Sequence, residues 1–241
     1  MKKIYTIALI IAAIVSVSTF SSCRFRCKRG SGNQITQNRK MSDFDKLDIS
    51  GGFKVTLVQD SSLAVGIHAD DNLMQYIQTS VENGKLRIKT KRNICSSGEM
   101  TITIGVRSLT AVDASGAVEV TSNGRINTGD ISFDLSGATK INMDLNAGTV
   151  NSSGSGNTEL NLKGQASAHN VDMSGASDIQ ALDFVVGKYN IETTGASHAK
   201  INVLNSLSVH STGASDISYR GNPSSVNNDK TGASTLTKLD N

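Results

Sequence analysis

From residue 112 onward, apolar and polar positions alternate along short stretches, and the alternation restarts about every 19 residues. Each restart carries a small hydroxyl residue and a glycine: Ser115-Gly116-Ala117, Ser136-Gly137-Ala138, Ser155-Gly156-Asn157, Ser174-Gly175-Ala176, Thr194-Gly195-Ala196, Thr212-Gly213-Ala214 and Thr231-Gly232-Ala233. The glycines stand 21, 19, 19, 20, 18 and 19 residues apart. Four places before the glycine come Val112, Phe133, Val171, Ile191 and Val209. Four places after it come Val120, Ile141, Leu160, Ile179, Ile217 and Leu236, and six after it Met143, Leu162, Ala181, Ile201 and Tyr219. A period of two predicts strands buried on one face, and a glycine between two such strands suits a bend. A βαβ unit needs about 30 residues, so this repeat is too short for one. It predicts an all-β protein, a β-solenoid whose coils of about 19 residues stack in parallel, rising roughly 34 Å over seven coils at about 4.8 Å each.

Two other columns follow from the same count. Position +2 (Thr139, Thr158, Ser177, Ser197, Ser215 and Ser234) shares its face with +4 and +6, which predicts small hydroxyls inside a corner, bonding along the stack. No base accompanies them, so they read as structure rather than as nucleophiles. Position −3 (Asp113, Asp134, Asp172, Glu192, His210 and Asp229) faces outward, as a solvated acidic ladder and a possible surface for binding. A Ca²⁺ site of hard carboxylate ligands is the alternative, although the nonapeptide calcium repeat and the helix-loop-helix calcium loop are both absent. Regularity fails at 151–157, where two extra residues leave Gly154 and Gly156 both eligible as the corner. It fails again at 221–230, where a polar stretch with the only proline, Pro223, predicts a C-terminal cap.

Residues 43–110 are denser and less repetitive, a β-rich part with strands expected at 44–50, 53–58, 63–68, 86–89 and 100–104. One short helix is expected to open at Asp70-Asp71-Asn72-Leu73 behind an aspartate cap. Leu73, Met74, Ile77 and Val81 would share one face, and Asn83-Gly84 would end it.

Read in order, Phe44-x₂-Leu47-x-Ile49-x-Gly51, Phe53-x-Val55-x-Leu57, Asp71-Asn72-Leu73, Gly84-x-Leu86-x-Ile88 and Leu109-x-Ala111-x-Asp113-x-Ser115-Gly116-Ala117 resemble the head-GIN-domain family of Bacteroidetes. Its members are often labelled auto-transporter adhesins. The resemblance covers about 43–225 and implies a right-handed parallel β-helix-like fold, with no catalytic residues to carry over. Asn157 departs from it, standing where alanine is usual.

The first residues change the picture of location. Lys2 and Lys3, an apolar run from 4 to 17 and small Ser21-Ser22 before Cys23 read as an export signal over 1–22. Ser-Ser-Cys resembles the bacterial lipoprotein cleavage box, with Phe20 in place of the usual aliphatic residue, and makes Cys23 the expected lipid-bearing N-terminus. Residues 23–42 then read as a basic, flexible tether. Arg24, Arg26, Lys28, Arg29, Arg39 and Lys40 meet no acidic residue there, and either rest on anionic lipid head groups or are simply solvated. The part 43–110 and the solenoid repeats 111–241 complete the expected division. In lipoproteins of this kind, acidic residues just after the cysteine favour surface display. The basic flank here favours the periplasmic face of the outer membrane, with surface display the alternative.

The whole chain is +3, but residues 41–241 hold 16 basic and 21 acidic residues, so the basic balance belongs to signal and tether and does not indicate nucleic-acid binding. Of three cysteines, Cys27 and Cys95 remain after Cys23; in an oxidising compartment they either pair or stay as free thiols. No C-x₂-C metal pattern is present, and His68, His169, His198 and His210 are scattered and read as surface residues rather than ligands. A polysaccharide-active enzyme on a β-helix needs converging carboxylates and usually aromatic platforms. This chain has no Trp, carries its acids one per coil, and has only Tyr189 and Tyr219 in the regular repeats. The expected protein is a lipid-anchored, non-catalytic adhesion or scaffold module without cofactor or metal, its partner a protein or glycan. A glycan- or small-molecule-binding module is the alternative.

Overall fold

The computed structural model describes residues 27–240, and the two-residue alternation of the repeats reappears there as alternating burial. The −4 residues Val112, Phe133, Val171, Ile191 and Val209 are buried, as are Val120, Ile141, Leu160, Ile179 and Ile217 at +4. They lie in two extended segments, β9 (Ala111–Asn127) and the long run β10 (Ile131–Arg220), which are followed by β11 (Ser225–Gly232) and β12 (Thr235–Lys238). β10 pairs with β9 in parallel, Gly137 opposite Gly116. β11 pairs in parallel with the last part of β10, Gly232 opposite Gly213, and β12 with the residues that follow.

Glycine is required at the corner because of how closely backbones approach there. At Gly156, φ is +95°, and a Cβ would lie 2.5 Å from the carbonyl oxygen of Gly137. An L-side chain would be strained by the dihedral and would collide with backbone, which cannot swing away. The same contact settles the ambiguity at 151–157: Gly156 is the corner, while Gly154 lies over Met173. β3 (Lys46–Gln59) makes a further corner, Gly51 opposite Gly116, so the stack begins before the first Ser-Gly-Ala mark.

Towards the N-terminus the pairing changes direction. β6 (Lys85–Thr90) and β8 (Thr101–Val106) add in parallel to the two halves of β3. Antiparallel strands then cover them: β4 (Ala64–Asp70) on β8, β2 (Gln34–Lys40) on β4, and β5 (Ile77–Glu82) on β6. β1 (Lys28–Arg29) and β7 (Ile94–Cys95) form a separate parallel pair. The main sheet runs from β11 at one edge to β2 at the other and does not close on itself. At the β11 edge every residue is exposed, and Asn227, Asn228, Asp229 and Lys230 replace the apolar alternation, which disfavours further strand addition.

Two expectations are corrected here. The helix expected from Asp70 is absent; the chain makes one 3₁₀ turn, Met74–Tyr76, without a side-chain cap, and goes straight into β5. Ile77, Thr79 and Val81 are β-branched at alternate positions, and Asn83 (φ 52°) with Gly84 (φ 73°) turns the β5–β6 hairpin. An Asn-Gly pair with both φ positive is the strongest short-range hairpin signal, and it outweighs the helical spacing of four apolar residues. The flexible tether expected over 23–42 likewise gives way at Gln34–Lys40, which is a strand of the main sheet.

Candidate functional site

The outward −3 residues come together on one flank. Asp113, Asp134, Asp172 and Glu192 line a shallow groove of about 440 Å³, with Asn151, Asn170 and Asn190 alongside. Parallel register explains the arrangement: Asp134 lies opposite Asp113, one coil further on. Asn170 donates its side-chain amide to Asn151 at 2.8 Å, so the amides form a rung between coils while the carboxylates point to solvent. Asp113 is held by the Lys85 ammonium at 2.6 Å, whereas no ion pair among the described residues engages Asp134, Asp172 or Glu192. Stacked like charges repel across neighbouring strands, so the groove is a site of uncompensated negative charge with amide donors at its side. Asp229 lies apart from it, opposite His210 on the last coil, with Nδ1 and the carboxylate 3.1 Å apart. Among the described residues no three His, Cys, Asp or Glu side chains converge as a metal cluster.

The inner columns are structural. At +2, Thr139, Thr158, Ser177, Ser197, Ser215 and Ser234 are all buried. Ser177 pairs with Ser197 at 3.3 Å, and Ser215 with Thr193 at 3.1 Å. Thr139 and Thr158 have no partner for their hydroxyls. The ladder expected along the whole column is therefore reduced to the Ser177–Ser197 bond, and in the last coils Ser215 and Ser234 bond instead to Thr193 and Ser211, two places before the corner glycines. No imidazole or carboxylate base bonds to any of the six.

His169 corrects the reading of the histidines as surface residues: it is fully buried. Ser152 Oγ lies 2.9 Å from its Nε2 and the Tyr189 hydroxyl 3.1 Å from its Nδ1. One ring nitrogen donates and the other accepts, so the neutral ring is satisfied. Burial among apolar neighbours pushes its pKa down to about 3 and that of Tyr189 up. A serine–histidine pair would suggest nucleophilic chemistry, but substrate cannot reach it inside the coil. The signal available in the sequence was the column six before the glycine: Ile131, Val150, His169, Tyr189 and Leu207, where a histidine stands among core residues.

A second polar cluster went unread in the sequence. Asp70, expected to cap a helix, instead accepts hydrogen bonds from Ser97 N (2.9 Å) and Oγ (2.5 Å), Ser96 Oγ (2.7 Å) and Gly32 N (2.9 Å). Those donors, Ser97 foremost, hold its carboxyl well below the usual carboxylate range. Asp71 binds Ser31 Oγ and Asn33 Nδ2. Cys27 and Cys95 form a disulfide, with Cα atoms 5.6 Å apart. Together they clasp residues 27–33 to the loop around Cys95. Cys23 lies outside the described residues, and no helix among them is long and apolar enough to cross a membrane.

Fold and surface of the described residues define a repetitive, all-β, mainly parallel-stranded protein with a polar lateral groove. The chain belongs to the head GIN domain family, described as "Putative auto-transporter adhesin, head GIN domain", whose model matches residues 43–223. Solved structures share the fold. A "putative adhesin" from Bacteroides fragilis aligns over 88% of this chain and 99% of its own, at 20% identity and TM-score 0.82. A "putative lipid binding protein" from Parabacteroides distasonis aligns over 89% and 100%, at 18% identity and TM-score 0.70. A "putative adhesin" from Parabacteroides merdae aligns over 88% and 98%, at 20% identity and TM-score 0.67. No curated protein matches the chain.

Proposed function

We propose that this protein is a lipid-anchored envelope module that binds a partner along its flank without chemistry, as an adhesion or scaffold element. Its body is a right-handed parallel β-solenoid with coils of about 19 residues. The glycine-on-glycine contacts support the solenoid, since Gly137, Gly156, Gly175, Gly195, Gly213 and Gly232 each place a Cβ position within 2.7 Å of the carbonyl oxygen of the glycine one coil back. The observation that carries the binding role is the groove along Asp113, Asp134, Asp172 and Glu192, which presents charge and amides across successive coils rather than focusing them on one bond. Catalysis needs groups converging on a reacting atom; the acids of the groove are strung out and the buried Ser152–His169 pair is sealed. The family's adhesin label agrees with this reading. In this reading Cys23 carries the lipid, and its basic flank favours the periplasmic face of the outer membrane over surface display.

Two experiments test this. Capture from envelope fractions with the intact protein should recover a partner that Asp134→Ala/Asp172→Ala/Glu192→Ala no longer retains; equal capture by the triple variant removes the groove from the account. Labelling with a clickable palmitate should mark the wild-type chain and not Cys23→Ser, and protein that stays unlabelled and soluble contradicts the anchor.

A glycan partner is favoured over a protein by one feature, the Asn151–Asn170 amide rung beside carboxylates, since such pairs match the donor and acceptor pattern of sugar hydroxyls. A glycan array separates the two.

A further inference from the structure

We propose that the N-terminal end of the body is an electrostatic contact surface for anionic lipid head groups, built by Lys28, Arg29, Lys89, Lys91 and Arg92. It deepens the envelope reading by naming what the body itself touches.

Charge divides sharply along the chain. Residues 27–107 hold 12 Lys and Arg against 8 Asp and Glu, whereas residues 108–240 hold 8 against 13. Within the basic part, the outward positions of β6 and its continuation are Lys85, Arg87, Lys89 and Lys91. The first two are neutralised by carboxylates of the stack: Lys85 by Asp113 at 2.6 Å and Arg87 by Asp48 at 2.8 Å. Lys89 and Lys91 enter no ion pair among the described residues.

The clasp brings further cations to the same place. Lys28 N bonds to Asn93 O at 2.9 Å and Gly30 N to Cys95 O at 2.8 Å, so Lys28 and Arg29 lie beside the 91–95 loop. Lys91 N bonds to Tyr76 O, and the Arg92 guanidinium stands 5.0 Å from the centre of the Tyr76 ring, which orients it without cancelling its charge. All five side chains are exposed. The nearby carboxylates, Asp70 and Asp71, are occupied by hydroxyls and amides rather than by cations.

The disulfide fixes where this surface sits. Only residues 24–26 separate Cys27 from the expected lipid-bearing Cys23, a reach of at most about 14 Å even fully extended, and two of the three are arginine. An anionic leaflet attracts each nearby Lys or Arg and repels the carboxylates of the stack. The basic end therefore faces the bilayer and the acidic groove is held away from it, open to a partner.

The test is vesicle co-sedimentation of the chain from residue 23 onward, which contains every described residue, with Cys23→Ser so that no lipid can contribute. Vesicles of one part phosphatidylglycerol to three of phosphatidylcholine are compared with phosphatidylcholine alone. Binding is expected only to the anionic vesicles, and is expected to vanish at high salt. Lys89→Gln/Lys91→Gln/Arg92→Gln should weaken it on the order of 100-fold, at about fivefold per basic residue. Lys163→Gln/Lys188→Gln/Lys200→Gln, from the stack, should leave it unchanged; all six positions are exposed and both variants should melt with the parent. Equal binding to both vesicle types, equal losses in the two variants, or retention on heparin without binding to anionic vesicles overturns the proposal. Because Cys23 is replaced, none of these outcomes depends on lipidation, which the palmitate label tests separately.

Discussion

The corner at Gly51-Gly52 and the corner at Gly156-Asn157 both put a glycine at positive φ, 138° and 95°, but with different surroundings. Both place a glycine directly on or under the glycine of the neighbouring coil. At Gly156 the backbone carbonyl of the coil before it closes off the Cβ position, whereas at Gly51 (φ +138°) the nearest obstacle is the Phe53 ring edge at 2.9 Å, and Gly52, one residue past that corner, has open space around it. The stack repeats one solution because each coil meets an identical surface. The N-terminal part does not rest on a further coil, so it ends the stack with antiparallel strands, a disulfide and hydrogen bonds to Asp70. Regular packing sustains the first region; individual contacts sustain the second.

A methyl group at a corner should do the most damage. Gly156→Ala is expected to cost about 3–5 kcal/mol, from left-handed strain plus backbone collision, read as a lowered urea midpoint. Gly52→Ala should be neutral or stabilise by up to about 1 kcal/mol, because it only reduces the freedom of the unfolded chain.

Next is the clasp. Cys27→Ser/Cys95→Ser opens a loop spanning 68 residues and should lower stability by about 2–4 kcal/mol. Amide exchange should rise in the N-terminal strands before the stack. A uniform rise would show that the two regions unfold as one.

Smaller is the buried histidine. The pKa of His169 is about 3 in the fold and about 6.5 in the unfolded chain. Its contribution is complete above about pH 6.5 and is lost as pH falls towards 3, at up to ~1.4 kcal/mol per pH unit, because only the unfolded chain takes up the proton. Comparing urea midpoints at pH 6.5 and 5, His169→Phe should have a shallower slope than the wild type, whatever its stability at pH 7. Parallel slopes would remove His169 from the account. Smallest is the acidic column: Asp172→Asn should relieve repulsion worth a few tenths of a kcal/mol and raise the melting temperature slightly, most at low salt.

The stack was legible from its sequence because a coil that rests on its own copy must repeat its constraints, and repetition shows in one chain. The columns at −4, +4 and +2 and the outward ladder could be read by counting from the glycine. The N-terminal part was less legible, since its rules are used once. The run from Leu73 to Val81 fits helical spacing as well as a strand, and only the Asn-Gly turn with its partner strand decides between them. Asp70 looked like a cap because its donors, Ser96 and Ser97, are 26 and 27 residues away. The groove was half visible: the carboxylates stood out as a column, the asparagines beside them did not.

The account rests on coils stacking in register, one glycine on the next, and disulfide trapping tests that directly. Ala138→Cys/Asn157→Cys places cysteines at equivalent positions of neighbouring coils, about 5 Å apart, within bridging range. Ala138→Cys/Lys163→Cys shifts one of them six residues along the strand. Stacking in register should give rapid, near-complete cross-linking of the first pair under mild oxidation and none of the second. Equal cross-linking of both, or of neither, would contradict it.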